Sequence, residues 1–345
     1  MVCVAAVLCC RVFSVSAQIS VKAVGDVLPG SYTPQRMLPS DSGRTTVQNV
    51  GGLLRGADIV FGNFEASFAR EGDPTMKPQK CAEASRRKGV CFEFGVPPYL
   101  APMLKQMGFT VMSVDNNHAD DYGAAAAELT KTLLLEQGIK PAPKRGFAEL
   151  SIKGKRVAVV AFGFSNTSYN VAEPQAARDI IAALTKQFPI VIVSFHGGAE
   201  GKQALHVPNR TEMFYGENRG NLVAFAHACI DAGAAMVIGH GPHVVRAVEL
   251  YKERLIAYSL GNFATYGNIN IKGVNGVTLV LEASIDETSG KFLSGRIHPV
   301  VQREPGIPYP DPTNEAIRLV KQLTEEDFPQ TPLSISDTGE IRIRR

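Results

Sequence analysis

An α/β fold carrying an antiparallel addition is what this sequence predicts, and three observations predict it. Short apolar, β-branched runs recur along the chain, and each stops in a polar turn, most of them Gly-rich. Helical patterns stand between most of these runs. The last runs follow one another with no helix between them. Strands alternating with helices imply layered α/β structure, whereas strands joined without a crossover return antiparallel.

The elements read as follows. Residues 19–24 lead into Gly25-Asp26, 58–61 into Gly62-Asn63-Phe64-Glu65, and 109–114 into Asp115-Asn116-Asn117-His118. Residues 157–162 lead into Gly163-Phe164-Ser165-Asn166, 190–195 into His196-Gly197-Gly198, 235–238 into Gly239-His240, and 255–260 into Gly261-Asn262. Each run has strand length and composition. Helical spacing covers 97–107, 123–137, 174–188 and 218–232; Pro174 suits a first turn and Gly138 and Gly233 suit stops. Residues 276–285 form a further strand without a preceding helix. Beyond residue 304 the chain is Pro-rich, with one short amphipathic helix at 314–323, and reads as an extension lying on the domain of residues 18–304.

Composition excludes several classes. The chain has 345 residues, of which 45% are apolar and 20% charged, enough to bury a sizeable core. A formal charge of +3 with no basic, aromatic-interleaved run gives no nucleic-acid face. Residues 1–17 are apolar and small, ending Val15-Ser16-Ala17, and read as an export signal. The mature chain then contains no run long enough to span a bilayer. Periplasmic or extracellular placement, with membrane association left open, is the expectation. In such a compartment Cys81 and Cys91, flanking a polar loop, read as a local disulfide. Cys229 reads as a buried core thiol.

The chemistry concentrates in the turns after strands, where strand ends of an α/β protein converge. Of seven histidines, His118, His196, His240 and His243 stand in such turns. His227 lies on an apolar helix and reads as a satisfied core residue. Imidazoles combined with carboxylates suit zinc, manganese or iron, as one or two divalent ions. Gly239-His240-Gly241-Pro242-His243 offers two imidazoles around a Pro-restricted turn. Asp26 and Glu65 taken singly are equally compatible with turn or cap roles.

Taken together, the turns Val24-Gly25-Asp26, Gly62-Asn63-Phe64-Glu65, Asn116-Asn117-His118-Ala119-Asp120-Asp121-Tyr122-Gly123, His196-Gly197-Gly198-Ala199-Glu200, Gly239-His240-Gly241-Pro242-His243 and Tyr258-Ser259-Leu260-Gly261-Asn262-Phe263 resemble, in order, the motifs of CapA proteins of poly-γ-glutamate capsule synthesis. The resemblance runs from about residue 20 to 305. It implies a calcineurin-like metallophosphoesterase fold, a four-layer sandwich of two facing mixed sheets flanked by helices. It also implies export, an anionic polymer or phosphoester as substrate, and an envelope synthesis or export assembly as partner. By the same resemblance Asp26, Asn117, His196, His240 and His243 hold metal, with Glu65 as the substitute bridge, and His118 serves chemistry; Asp121 is placed to orient its second ring nitrogen, Asp120 being the alternative, and either also suits a cap for the helix that begins near residue 123. Asn63, Asn116, Glu200 and Asn262 fall to the substrate side. Three departures stand out. Leu28 occupies the place of a first-motif His. Asn63 replaces a bridging Asp, so that Glu65 must bridge or a single metal binds tightly. Gly197 stands where CapA relatives usually carry an aromatic residue. Metal-dependent hydrolysis and non-catalytic polymer binding are both compatible with this pattern.

Overall fold

The computed structural model describes residues 17–88 and 91–344. The expected signal segment therefore lies, but for Ala17, outside the described residues. Two mixed sheets face each other. The larger runs, edge to edge, through Leu333–Ile335, Glu340–Ile343, Phe292–Arg303, Val277–Asp286, Gln18–Leu28, Ile59–Phe64, Val111–Ser113 and Lys140–Ala142, with Asn262–Thr265 and Ile307–Pro310 on its flanks. The smaller runs through Val248–Tyr251, Arg254–Ala257, Met236–His240, Ile190–His196, Lys155–Phe162 and Phe147–Ile152.

Alternation along each strand builds the layers, because successive side chains point to opposite faces. Val157, Val159 and Ala161 join Val21, Ala23, Ile59 and Phe61 in the core between the sheets. Ala158, Val160 and Phe162 face the helices Pro174–Thr185 and Leu222–Asp231. The outer face of the larger sheet packs Val60, Val24 and Phe64 on the helices Arg44–Leu54, Ala101–Met107 and Gly123–Glu136. Two facing mixed sheets flanked by helices is thus the arrangement, as the resemblance implies.

The segment after residue 304 is woven in rather than laid on. It supplies three strands to the larger sheet, and the helix Glu315–Asp327 buries Ala316, Ile317 and Val320 against the inter-sheet core. The 218–232 helical pattern begins four residues late, at Leu222, because Glu217–Asn218 pairs in a hairpin; Asn221 then caps the helix, accepting from Ala224 N at 3.0 Å. Cys81 and Cys91 are bonded to each other, and Cys229 is buried and free. Among the described residues no helix is long and apolar enough to cross a membrane.

Candidate metal centre

The first strand aims Asp26 by an irregularity. Its pairing with Ile59–Phe64 slips between Ala23 and Asp26, a bulge of the kind that re-aims a side chain. Val21 and Ala23 face the inter-sheet core, but Val24 and Val27 face the helices. At Gly25 any Cβ would collide with the Gly261 carbonyl oxygen, so only glycine lets the two chain segments close here. Gly261 O accepts from Asp26 N at 2.9 Å.

Asp26, Glu65 and His243 offer ligand atoms all within 4.8 Å of one another. His243 Nδ1 lies 3.3 Å from Asp26 Oδ2, and its Nε2 lies 3.6 Å from Glu65 Oε1. His196 adds Nε2 at 3.6 Å from the same Glu65 oxygen. His240 donates from Nε2 to Val24 O at 3.0 Å; since a carbonyl only accepts, its lone pair sits on Nδ1. Three of the six expected ligands thus form the tight group, and His196 stands one contact outside it. Asn117 stands on the rim of an adjoining groove with its amide oxygen buried and unpaired.

Nine buried side-chain polar atoms lack a hydrogen-bond partner among the described residues, and six belong to the expected ligands: Asp26 Oδ2, both Glu65 oxygens, Asn117 Oδ1, His196 Nε2 and His240 Nδ1. Buried polar atoms are normally satisfied, so this concentration marks a place shaped for something that supplies charge. The donor set, carboxylate oxygen with imidazole nitrogen, fits a divalent transition ion.

The titration pattern agrees with that fit. Burial pushes the Glu65 carboxyl up, and the Asp26 charge pushes the same way, so it stands well above its usual range. Burial also pushes Asp26 up, but His243, His240 and His196 outweigh it and bring Asp26 down to about 2. Burial lowers His243, yet Glu65, Asp26 and Glu200 together hold it well above its usual value. Burial lowers His196 and His240, leaving both as neutral imidazoles at pH 7.

Three residues expected on the substrate side are turned inward. Asn63 and Asn116 link the cluster to the His118 turn: Asn63 Nδ2 donates to Asp26 Oδ1 at 2.9 Å, Asn116 Nδ2 to Asn63 Oδ1 at 3.0 Å, and His118 N to Asn116 Oδ1 at 3.0 Å. Asn116 Nδ2 also donates to Phe64 O, which fixes the sense of both amides. Asn262 Oδ1 lies 2.8 Å from His243 Nδ1, and its Nδ2 donates to His243 O at 3.2 Å. His243 has φ +58°, a conformation a histidine adopts only when its surroundings impose it. Their amides are thus engaged by the protein: Asn63 and Asn262 each touch an expected ligand, and Asn116 joins Asn63 to the His118 turn. Leu28 is fully buried and carries no chemistry.

His118 and Asp121 meet as expected, Nδ1 to Oδ2 at 2.6 Å, with both side chains buried. The same Asp121 oxygen accepts from Phe94 N at 2.8 Å, and the Phe94 ring lies 4.4 Å from the His118 ring. Glu200 accepts from Arg219 Nη1 at 2.9 Å and stands 4.0 Å from His243 Nε2. Arg219, its guanidinium 3.8 Å over the Phe164 ring, gave no sequence signal, nor did the buried Arg246–Glu212 pair that ties down the Glu200 loop. At Gly197 a Cβ would stand 2.9 Å from Arg219 O, so the chain fills the space an aromatic residue would need. The remaining histidines have ordinary partners: His227 sits on Glu249 and stacks on Tyr251, His206 meets Asp327, and His298 meets Glu282.

Carboxylates and imidazoles gathered at the strand ends of two facing sheets define a metal-site α/β sandwich. The family profile of the bacterial capsule synthesis protein PGA_cap matches residues 20–266, and the chain belongs to that family. It is 27% identical over 263 residues to the PGA biosynthesis protein CapA of Bacillus subtilis (strain 168), covering 71% of this chain and 63% of that protein. It is 26% identical over 260 residues to the capsule biosynthesis protein CapA of Bacillus anthracis, covering 71% of this chain and 59% of that protein. The chain thus spans roughly six-tenths of the length of these relatives. Among solved structures, a phosphatase from Mycoplasma pneumoniae aligns over 86% of this chain and 96% of its own, with 13% identity and a TM-score of 0.48.

Proposed function

We propose that this protein is an exported, metal-dependent hydrolase acting on a polymer of the capsule or cell envelope, with poly-γ-glutamate or a phosphoester as the substrate class. Zinc, manganese or iron would be held by Asp26, Glu65, His196, His240 and His243, with Asn117 at the rim. The observation that carries the reading is the set of six unpaired buried donor atoms on those residues beside a buried His–Asp pair. A bound divalent cation polarises a phosphoryl or acyl oxygen and lowers the pKa of water.

The chain's own groups have separable tasks. Asp121 accepts the Nδ1 proton of His118 and fixes the ring's tautomer, which leaves Nε2 to hold or release a proton at a leaving group. Phe94 packs against that ring and limits access of water. The Asp26–Asn63–Asn116 run of amides keeps the His118 turn in register with the ligands. Asn262 holds His243 in its left-handed conformation.

The test compares His118→Ala with His240→Ala, reading metal content and hydrolysis of poly-γ-glutamate and of a generic phosphodiester. His118→Ala keeps its metal and loses about 10²–10⁴-fold in rate, the range for a general acid or base. His240→Ala loses metal as well. A His118→Ala protein with unchanged turnover would refute the role given to His118, and a wild type that binds metal and polymer without any turnover would establish the accessory, polymer-binding role instead.

A further inference from the structure

A groove of about 820 Å³ adjoins the metal centre. It begins at Asn117 and at Phe164, whose ring centroid lies 6.0 Å from that of His196. Its walls carry the side chains of Asn166, Thr167 and Asn218. Most charges along it are already matched: Lys144 pairs with Asp120 at 2.5 Å, and Glu217 pairs with Arg219 at 2.7 Å. The other two, Lys80 and Glu173, are opposite in sign. Beside that opposed pair, the groove offers a ligand the neutral groups of Asn166, Thr167 and Asn218.

One wall is the base of a two-stranded hairpin, Met213–Phe214 with Glu217–Asn218. Its two-residue tip is Tyr215-Gly216, with φ +47° and +80°. Two positive φ angles define the turn hand that suits a tight hairpin, and its first position favours Asn, Asp or Gly. Tyrosine there is strained. It is also 92% exposed, with Met213 beside it at 56%, so burial does not account for either. The Tyr215 ring meets Phe214 at 4.4 Å, edge-on. Folding explains neither the residue type nor its exposure.

We propose that the groove and the hairpin tip form a subsite for an oligosaccharide segment, next to the metal centre and independent of it. Sugar hydroxyls both donate and accept, and so do amide and hydroxyl side chains. The C–H faces of a pyranose ring are apolar and fit an aromatic face that has a polar edge, which Tyr215 supplies. A polyanion would call for unpaired cations, and an anionic lipid surface for a basic patch around the aromatic tip. Among the described residues lining the groove, Lys80 is the one cation without a carboxylate partner, and Glu173 opposes it in sign.

The experiment titrates the purified full chain with the N-acetylglucosamine hexamer, with maltohexaose, with poly-γ-glutamate and with phosphatidylglycerol vesicles. Wild type is compared with Tyr215→Asn and Asn166→Ala. Binding is the readout, so a centre without turnover leaves the outcome intact. At least one oligosaccharide binds wild type with a Kd of about 1 mM or tighter. Tyr215→Asn, which gives the turn its favoured residue, melts no lower than wild type and binds about 3–10-fold more weakly. Asn166→Ala also weakens binding. No oligosaccharide binding, full affinity retained in both variants, or Tyr215-dependent binding to vesicles or polyglutamate alone would each overturn the proposal.

Discussion

Replacing Glu65 by Gln separates the metal-loaded protein from the metal-free one. Glu65 is fully buried, neither of its oxygens has a hydrogen-bond partner, and Asp26 shares its triad. Burial and that neighbouring charge raise its pKa well above the usual range, so without a cation the protonated carboxyl is the favoured form. Gln is an isosteric copy of that neutral form. Metal-free Glu65→Gln should therefore match wild type at about pH 4 and melt higher than it at pH 7, because the unfolded wild type gains by ionising there and the unfolded variant does not. The sign with pH follows from the raised value: the neutral carboxyl's stability is complete below the unfolded pKa and is lost as pH rises through the folded one. Wild type without metal should lose stability on the alkaline side, whereas the variant should not. Adding manganese or zinc reverses the ranking. At a hundredfold excess over Kd the ion stabilises wild type by about 2.7 kcal/mol, on the order of 5 °C in a chain of this length. The variant, short of one anionic ligand, should show little of that shift. Melting curves with and without metal across pH, paired with metal analysis, measure both effects. A full metal-induced shift in the variant would refute the ligand role of Glu65, and a metal-free variant far less stable than wild type would refute its neutrality.

Other outcomes follow from the same geometry. Asn262→Ala removes the acceptor on His243 Nδ1 and one of the bonds that hold its left-handed turn; metal affinity should fall about 10–100-fold with the fold retained, as calorimetry with manganese would show. Asp115 is raised from 3.8 to about 7 by burial, against the opposing Ser168 bond. Its contribution is complete below about pH 4 and lost through pH 7, so Asp115→Asn should gain up to about 4 kcal/mol over wild type at pH 8 and little at pH 4 in denaturant titrations. The paired Cys81→Ser, Cys91→Ser change should cost about 2–3 kcal/mol while leaving metal content unchanged, because the residues flanking the bridged loop meet the His118 turn through Phe94 N and the Asn117 carbonyl through Lys80, and neither contact is to a ligand atom.

Much of the fold was legible because its strands are short apolar runs punctuated by glycine. The expected runs at 157–162 and 190–195 became Lys155–Phe162 and Ile190–His196, and the helix expected at 123–137 became Gly123–Glu136. The helix Arg44–Leu54 escaped notice since Gly51 and Gly52 interrupt its pattern. The C-terminal strands Leu333–Ile335 and Glu340–Ile343 were hidden by their brevity and by flanking polar residues. In the site, residue type marked His243, whereas Asp26 and Glu65, which singly suit turns or caps as well, were marked by the order of the motifs they share with CapA proteins. The tasks of Asn63, Asn116 and Asn262 were not readable, because an amide that holds a ligand and one that meets a substrate look alike in one dimension. Arg219 and Glu200 are likewise joined only by the folding of their loop.

The Gln18–Leu28 strand lies in the interior of its sheet, yet on one side its partners are Val277–Asp286 and Asn262–Thr265. Pairings so distant along the chain must close a very long loop before they return any stability, and this makes folding slow. A nascent chain that has not reached residue 261 has this strand paired on one side only, with Ile59–Phe64, and no acceptor for the Asp26 N–H. The ligand triad, drawn from residues 26, 65 and 243, thus cannot assemble before residue 243 has been made, and a cation held by all three is acquired only after that point.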